Sequence, residues 1–294
     1  MHSVGLVLHP QRNSAEAVEA VLGWAGKRGI SVYGIANEIV RLNCAALPVS
    51  DRELGQRADL IVSLGGDGTM LRAMRLADGQ QTTVLGVNLG KLGFLAEVDV
   101  PDLPDALTAI DSQEFTIEPR LAIDATFGGQ TVTAFNDVAV VRVPGHPSAV
   151  VSVNVSGQPF VSYAADAVIV ATPTGSTAYS FSAGGPIVQP AVEALLVTPA
   201  APHSAYNRGF VLSVDETVEL DMLPTSGRLA VEVDGMVEGY TEPGEQVPLR
   251  ARRKLRLTDS AEIPLSPADG GPLQLNNPLT HGDSEGAAQL NTGN

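Results

Sequence analysis

The sequence has few of the residues that build disulfides, metal clusters and membrane spans. Only one of its 294 residues is a cysteine, Cys44, so no intrachain disulfide can form, and this composition is typical of a reducing compartment. Its five histidines are scattered without metal-ligand spacing, which argues against a zinc site built from cysteine and histidine. No apolar run reaches the roughly 18 residues that a membrane-spanning helix needs.

Positive charge is also scarce. The net charge of −15 opposes nonspecific binding to nucleic acid or to anionic lipid. An anionic small molecule is still compatible with it, because backbone N–H groups or a metal ion can make a pocket locally positive. The first residues, "MHSVGLVLHPQRN", have no basic leader and only a short apolar run, so they predict a first strand and not a signal peptide. We expect a cytoplasmic protein that binds neither nucleic acid nor membranes.

The first third of the chain alternates apolar runs with amphipathic segments. The hydrophobic fraction of 44% can supply a core, and the length allows one large domain or two ordinary ones. The alternation predicts an open α/β sheet domain over residues 1–115. Strands are predicted at 4–9, 59–66 and 83–90. One helix is predicted to begin near Ser14, a second is predicted to begin near Thr69, and a third is predicted over 101–111.

From about residue 116 the segments become short, valine-rich and alternating, with Gly, Pro, Asn and Asp between them. This pattern predicts a mostly antiparallel β-sandwich domain over residues 116–263, with a hairpin around Ser156-Gly157-Gln158-Pro159. Residues 264–294 lack periodicity and are rich in Gly, Asn and Pro, which predicts a disordered C-terminal tail.

The stretch "GGDGT" (65–69) lies between a predicted strand and a predicted helix. Glycines allow a sharp turn and a close approach of a ligand, and the following helix N-terminus suits a phosphate. Asp67 fits beside a phosphate only if a cation separates them or if it faces a hydroxyl that must lose a proton. The residues alone leave a second interpretation open, a plain strand–helix turn that Asp67 caps. No P-loop, GxGxxG turn or GxSxG elbow occurs in the sequence.

Three further polar features follow in the second half. The stretch "ATPTGSTAYSFSAGGPIV" (171–188) concentrates hydroxyls and glycines after a predicted strand, which suits ribose and phosphate oxygens, although a plain polar loop is the alternative. Asn136 and Asp137 interrupt an apolar run, which costs stability unless they are bonded; a bulge or a strand end is the alternative. Asp166 precedes another apolar run, where a ligand contact and a surface turn both fit.

Five longer stretches contain or extend these features. They are "GGDGTMLRAMR" (65–75), "VLGVNLGKLGFLAEV" (84–98), "FNDVAVVR" (135–142), "DAVIVATPTGSTAYSFSAGGPIVQP" (166–190) and "TPAAPHSAYNR" (198–208). In this order they resemble the NAD kinase family. GGDGT alone is shared with lipid kinases and phosphofructokinase-like enzymes, whereas the longer stretches are more specific. The resemblance implies a kinase that uses Mg²⁺ and transfers the terminal phosphoryl group of ATP or polyphosphate to the 2′-hydroxyl of the adenosine ribose of NAD, giving NADP.

The resemblance also implies roles for residues. Asp67 matches the family's catalytic acidic residue, whose carboxylate accepts the proton of the 2′-hydroxyl. The resemblance implies no particular metal ligand. The implied nucleotide-binding residues are Gly65, Gly66, Gly68, Thr69 and Arg72 near the phosphates, Asn136 and Asp137 at the adenine and ribose, Asp166 at the nicotinamide half, and Thr177, Ala178, Tyr179, Ser180 and Ser182 along the dinucleotide. A homodimer or homotetramer is implied as well.

The alternative is a diverged kinase on the same scaffold, which phosphorylates another nucleoside or ribose-bearing acceptor. Its motivation is Met236, which follows Asp234-Gly235 where the family often has a polar residue, and a C-terminal segment unlike the family's usual one.

Overall fold

A computed structural model describes residues 1–80, 82–90, 93–96, 98–203 and 205–259. The predicted tail, 264–294, lies outside the described residues. The helices are α1 Ala15–Gly26, α2 Ala36–Leu42, α3 Asp51–Arg57, α4 Asp67–Ala77, α5 Leu103–Asp111 and α6 Tyr179–Ser182, with short 3-10 helices at Val100–Asp102 and Thr174–Thr177. The strands are β1 Ser3–Leu8, β2 Ser31–Ile35, β3 Leu47–Val49, β4 Leu60–Gly65, β5 Thr83–Asn88, β6 Val98–Asp99, β7 Thr116–Phe127, β8 Gln130–Ala134, β9 Asp137–Arg142, β10 Ala149–Val155, β11 Gln158–Ala165, β12 Ala167–Ala171, β13 Ala194–Ala200, β14 Phe210–Ser213, β15 Thr217–Met222, β16 Leu229–Val233, β17 Met236–Thr241 and β18 Gln246–Asp259.

The first part of the chain forms a parallel sheet in the order β5-β4-β1-β2-β3. Every residue of β1 and β4 is buried, as strands covered on both faces must be, and this explains their uninterrupted apolar runs. The predicted strands at 4–9, 59–66 and 83–90 are confirmed as β1, β4 and β5. Helices α1, α4 and α5 confirm the three predicted helices, and the α/β architecture is confirmed with them.

The second part forms an antiparallel β-sandwich, which is also confirmed. One layer is the six-stranded sheet β14-β13-β12-β9-β16-β17, and the other contains β7, β8, β10, β11, β15 and β18. Their inner faces share one buried core, to which Val138 and Val170 contribute from the first layer and Tyr163 and Leu220 from the second. The predicted hairpin joins β10 to β11, and its turn residues Ser156 and Gly157 have positive φ values of 48° and 76°.

Strand β18 connects the two parts into one twelve-stranded sheet. It pairs antiparallel with β15 and β7 and, near its end, parallel with β5, where Leu257 lies opposite Val84. The predicted boundary at 115/116 falls between α5 and β7, and the division into domains stays a proposal. Within the described part of the chain, no helix has both the length and the apolar character needed to cross a bilayer.

Candidate active site

Two turns lie side by side at the carboxyl edge of the parallel sheet. Strands β1 and β4 are neighbours with Leu8 opposite Leu64, and the N–H of His9 donates to the carbonyl of Leu64 at 2.9 Å. The loop after β1 therefore lies next to the GGDGT turn after β4. The carboxyl edge of an open parallel sheet is where ligands of such folds bind.

The glycines of the GGDGT turn serve two different purposes. A Cβ on Gly65 would lie 2.2 Å from Oγ1 of Thr69, so Gly65 is needed for close packing against the buried Thr69. Gly66 is the N-cap of α4 and has no side chain with which to cap it, so the first N–H groups of the helix are available to an anion. A Cβ on Gly68 would meet no described atom within 4 Å, so this side of the turn is open to a ligand.

Asp67 is the first residue of α4 and does not cap it. Its carboxylate instead accepts hydrogen bonds from the N–H groups of Phe94 and Leu95, at 3.2 and 3.1 Å. A Cβ on Gly93 would lie 2.3 Å from Oδ1 of Asp67, so the loop after β5 approaches the carboxylate closely. Two backbone donors from another loop therefore fix the orientation of the Asp67 side chain, and the interpretation of Asp67 as a helix cap is wrong.

Asn136 and Asp137 lie at a junction between strands and do not interrupt one, since β8 ends at Ala134 and β9 begins at Asp137. The carbonyl of Asn136 accepts a hydrogen bond from the N–H of Thr172 at 2.8 Å. A Cβ on Gly175 would lie 2.0 Å from the same carbonyl oxygen. The hydroxyl-rich loop after β12 therefore lies directly against the Asn136-Asp137 pair.

Within that loop the predicted residues differ in their surroundings. Ser180 is fully buried and its hydroxyl shares a 2.9 Å hydrogen bond with that of Thr198, so it holds α6 against β13. Thr177, Ala178 and Tyr179 are half-buried and Ser182 is exposed. The structure thus brings four of the five residues to a surface that a ligand can reach and commits the Ser180 hydroxyl to the fold.

Asp137 is buried and carries a perturbed carboxyl group. Burial raises its pKa to about 7, and repulsion from the carboxylates of Asp234 and Glu232 adds to the rise, while a hydrogen bond from the N–H of Tyr179 opposes it. The pKa of the Tyr179 hydroxyl is raised by burial and by the carboxylates of Glu232, Asp137 and Asp166. Titratable groups with perturbed pKa values that gather in one place favour a functional site.

Asp166 lies just before β12, at the opposite end of that strand from the Asn136-Asp137 junction. Its carboxylate forms a half-exposed ion pair with Arg142 at 3.1 Å. Its negative charge, like that of Asp137, contributes to the raised pKa of Tyr179.

Asp234 is not among the predicted site residues, but its carboxylate holds the Asn136-Asp137 junction in place. This buried carboxylate accepts N–H bonds from Phe135 at 3.0 Å, Asn136 at 2.7 Å and Asp137 at 3.2 Å. It also forms an ion pair with Arg75 of α4 at 2.9 Å. In the sequence, Asp234-Gly235 indicates only a tight turn, and its φ of 48° at Asp234 agrees with that.

Arg72, which was expected near phosphates, is bonded within the fold. Its Nη2 atom donates to the carbonyl of Leu8 at 2.8 Å and to Glu38 at 2.5 Å. Glu38 in turn accepts the N–H of Leu8 at 2.8 Å. Arg72 and Glu38 therefore fix the end of β1, beside the GGDGT turn.

The chain matches two family models and many curated relatives. Residues 4–115 match the model described as ATP-NAD kinase N-terminal domain, and residues 135–257 match ATP-NAD kinase C-terminal domain. The NAD kinase of Desulforamulus reducens is 39% identical over 84% of this chain and 88% of the relative. NAD kinase 1 of Streptomyces avermitilis is 36% identical over 91% of this chain and 90% of the relative.

Solved structures share the fold. Yeast NADH kinase complexed with NADH superposes with a TM-score of 0.78 at 25% identity, over 89% of this chain and 84% of that one. An NAD kinase from Archaeoglobus fulgidus in complex with ATP superposes with a TM-score of 0.69 at 24% identity, over 87% of this chain and 92% of that one. The chain therefore belongs to the NAD kinase family and is a phosphotransferase with an alcohol group as acceptor.

Proposed function

We propose that the chain transfers the terminal phosphoryl group of ATP to the 2′-hydroxyl of the adenosine ribose of NAD, and that Asp67 accepts the proton of that hydroxyl. The observation that carries this proposal is the orientation of Asp67. Its carboxylate is held by the N–H groups of Phe94 and Leu95 beside the uncapped start of α4. A base must lie within hydrogen-bond reach of the proton it takes, and a helix N-terminus favours the phosphate that is transferred.

In this reaction the 2′-oxygen forms a bond to the terminal phosphorus of ATP. The bond between that phosphorus and its bridging oxygen breaks, so ADP leaves with the electron pair and NADP is formed. The proton of the hydroxyl passes to a carboxylate oxygen of Asp67 and then to water. The protein's contribution is mainly to position the reactants and to stabilise charge.

We assign the donor to the GGDGT turn and the acceptor to the strand junction and its adjoining loop. The N–H groups at the start of α4 and the open side of Gly68 suit phosphate oxygens. The side-chain amide of Asn136 forms no hydrogen bond with a described residue, so its donors and acceptor are available to a nucleotide. Tyr179 and Thr177 supply an adjoining half-buried surface.

We propose that Mg²⁺ binds together with the phosphoryl donor. Among the described residues, no three or more His, Cys, Asp or Glu side chains gather into a metal-binding group. Mg²⁺ commonly keeps several waters and is held largely by substrate phosphates, so an ion bound with the donor does not require such a group of side chains, and Asp67 is left to accept the proton. When bound, the ion would neutralise charge on the transferring phosphoryl group.

The experiment is an acceptor panel of NAD, NADH, adenosine and other nucleosides, with Mg²⁺ and either ATP or polyphosphate as the donor. The position of the new phosphate is read by NMR. A 2′-phosphate on NAD supports the proposal. A good rate with a nucleoside and none with NAD would overturn it in favour of the diverged kinase on the same scaffold.

The assembly and the compartment are also proposals. We infer a homodimer or a homotetramer from the family resemblance, and light scattering on the purified chain measures the mass directly; a monomer at micromolar concentration would contradict it. The cytoplasmic assignment is supported by the single cysteine, Cys44, which is not in a disulfide.

A further inference from the structure

Three arginines from three different elements converge on the end of β1, beside the GGDGT turn. Arg12 lies in the loop after β1, Arg41 at the end of α2 and Arg72 on α4. Arg41 donates to the carbonyl of His9 at 2.8 Å and also to that of Pro10. Arg41 therefore holds the loop after β1 in place, and Arg72 holds the end of the strand before it.

The cluster is under-neutralised, although the protein as a whole is acidic. The Glu38 carboxylate, which lies in this cluster, is paired with Arg72. Neither Arg12 nor Arg41 forms an ion pair with a described residue. The field is visible at His9, whose pKa is lowered by burial and further by the three arginines. Such a local excess of positive charge in a chain of net charge −15 favours an anionic ligand.

Arg12 has a buried donor that lacks an acceptor. Its Nη1 atom is shielded from solvent and has no hydrogen-bond partner among the described residues. The same atom lies 3.9 Å from the position that a Cβ would take on Gly66. A buried charged donor without an acceptor is costly, and an anion at the turn would supply the missing oxygen.

We propose that Arg12 and Arg41 bind the phosphate chain of the phosphoryl donor beside the GGDGT turn. The inference rests on the proposed function, because that function places the transferred phosphate at the turn. The shared chemistry is a chain of linked phosphates, which both ATP and inorganic polyphosphate carry. Guanidinium groups suit it because they donate several hydrogen bonds in a fixed plane. Arg72 adds charge and positions the end of β1.

The test compares Arg12→Gln, Arg41→Gln and their double variant with the unchanged chain. We expect the KM for ATP to rise about tenfold or more in the double variant, because at least one charge-assisted hydrogen bond is lost. The KM for NAD should stay within about twofold of that of the unchanged chain. Arg12→Lys keeps the charge, so its KM for ATP should lie between that of the unchanged chain and that of Arg12→Gln. The matched control is Arg57→Gln, which removes an exposed arginine at the end of α3, beside Ser3 at the start of β1, and should change neither KM.

Two further measurements separate the possible outcomes. Calorimetry with tripolyphosphate, which lacks a nucleoside, should show about tenfold weaker binding to the double variant; if only ATP loses affinity, the arginines contact the nucleoside and the inference is wrong. An unchanged KM for ATP in a folded, active double variant would also overturn it while the proposed function stands. If the unchanged chain phosphorylates no form of NAD but tripolyphosphate still binds through Arg12 and Arg41, the proposed function fails and the phosphate site stands.

Discussion

The Nη2 atom of Arg75 lies 2.9 Å from Oδ2 of Asp234. This ion pair joins α4, which begins at the proposed phosphoryl-donor site, to the Asn136-Asp137 junction, the proposed acceptor site. Arg75 is on α4, the helix that begins at Asp67, while the Asp234 carboxylate also accepts the N–H groups of the residues around Asn136. One buried carboxylate therefore fixes the distance between the proposed base and the proposed acceptor site. Reacting groups must be held in this way if phosphoryl transfer is to proceed by positioning.

Replacing Asp234 with asparagine should damage both stability and acceptor binding. The amide cannot accept hydrogen bonds from all the donors that meet the carboxylate, so we expect a loss of about 2 kcal/mol in the free energy of unfolding and a rise in the KM for NAD. Urea unfolding and steady-state kinetics measure the two effects. The control is Glu242→Gln, which breaks an exposed ion pair with Arg228 and should cost below about 1 kcal/mol. Equal losses in both variants would contradict the central role of Asp234.

Replacing Asp67 with asparagine should remove most turnover and preserve binding. The amide keeps the shape of the side chain and an oxygen that can accept from Phe94 or Leu95, but it cannot take a proton from a hydroxyl. We expect kcat to fall about a hundredfold or more, with the Kd for NAD little changed. Steady-state kinetics gives kcat, and calorimetry on the same preparation gives the Kd for NAD. Near-normal turnover would show that another group accepts the proton.

Replacing Asn136 with alanine isolates a ligand contact. The backbone of Asn136 is bonded to Asp234 and Thr172, but its side-chain amide has no partner among the described residues. The substitution should therefore leave the melting temperature nearly unchanged. It should raise the KM for NAD about tenfold, because one or two hydrogen bonds to the nucleotide are lost. An unchanged KM for NAD would place the acceptor elsewhere.

The sequence predicted the elements whose signals are local. The apolar runs of β1 and β4 and the turn at Ser156-Gly157 each carry their own pattern, and each was confirmed. Helix α2 was missed because it has only seven residues and exposes Val40, so it shows no clear apolar face.

The contacts that organise the site could not be predicted from one sequence, because they join distant segments. Phe135 and Asp234 are 99 residues apart in the chain, and their hydrogen bond exists only because β9 and β16 are neighbours in the sheet. The approach of Arg12 to Gly66 likewise depends on the pairing of β1 with β4. The resemblance to the NAD kinase family supplied the grouping of Asp67 with Asn136 and Asp137, and the fold supplies the link between them.

Gly175 should tolerate no side chain. A Cβ there would lie 2.0 Å from the carbonyl oxygen of Asn136, which is backbone and cannot rotate away. We expect Gly175→Ala to cost about 1–3 kcal/mol in the free energy of unfolding and to raise the KM for NAD, because the Asn136 junction must move. Gly23→Ala is the control, since a Cβ there meets no described atom within 4 Å and alanine favours the helix α1. A stable Gly175→Ala variant with normal kinetics would contradict the tight contact.

Asp137 should make the stability of the fold fall as the pH rises towards neutrality. Its pKa is raised from 3.8 to about 7 because it is buried beside other carboxylates. Between these two values the folded chain keeps a proton that the unfolded chain has lost, so the stabilisation is complete below about pH 4 and disappears as the pH passes 7. Asp137→Asn has no charge to bury, so its stability relative to the unchanged chain should grow from pH 5 to pH 8, by an amount on the order of a few kcal/mol. Urea unfolding at several pH values measures this difference, and Asp105→Asn, an exposed carboxylate on α5, is the control. A difference between Asp137→Asn and the unchanged chain that stays constant from pH 5 to pH 8 would show that Asp137 is ionised throughout.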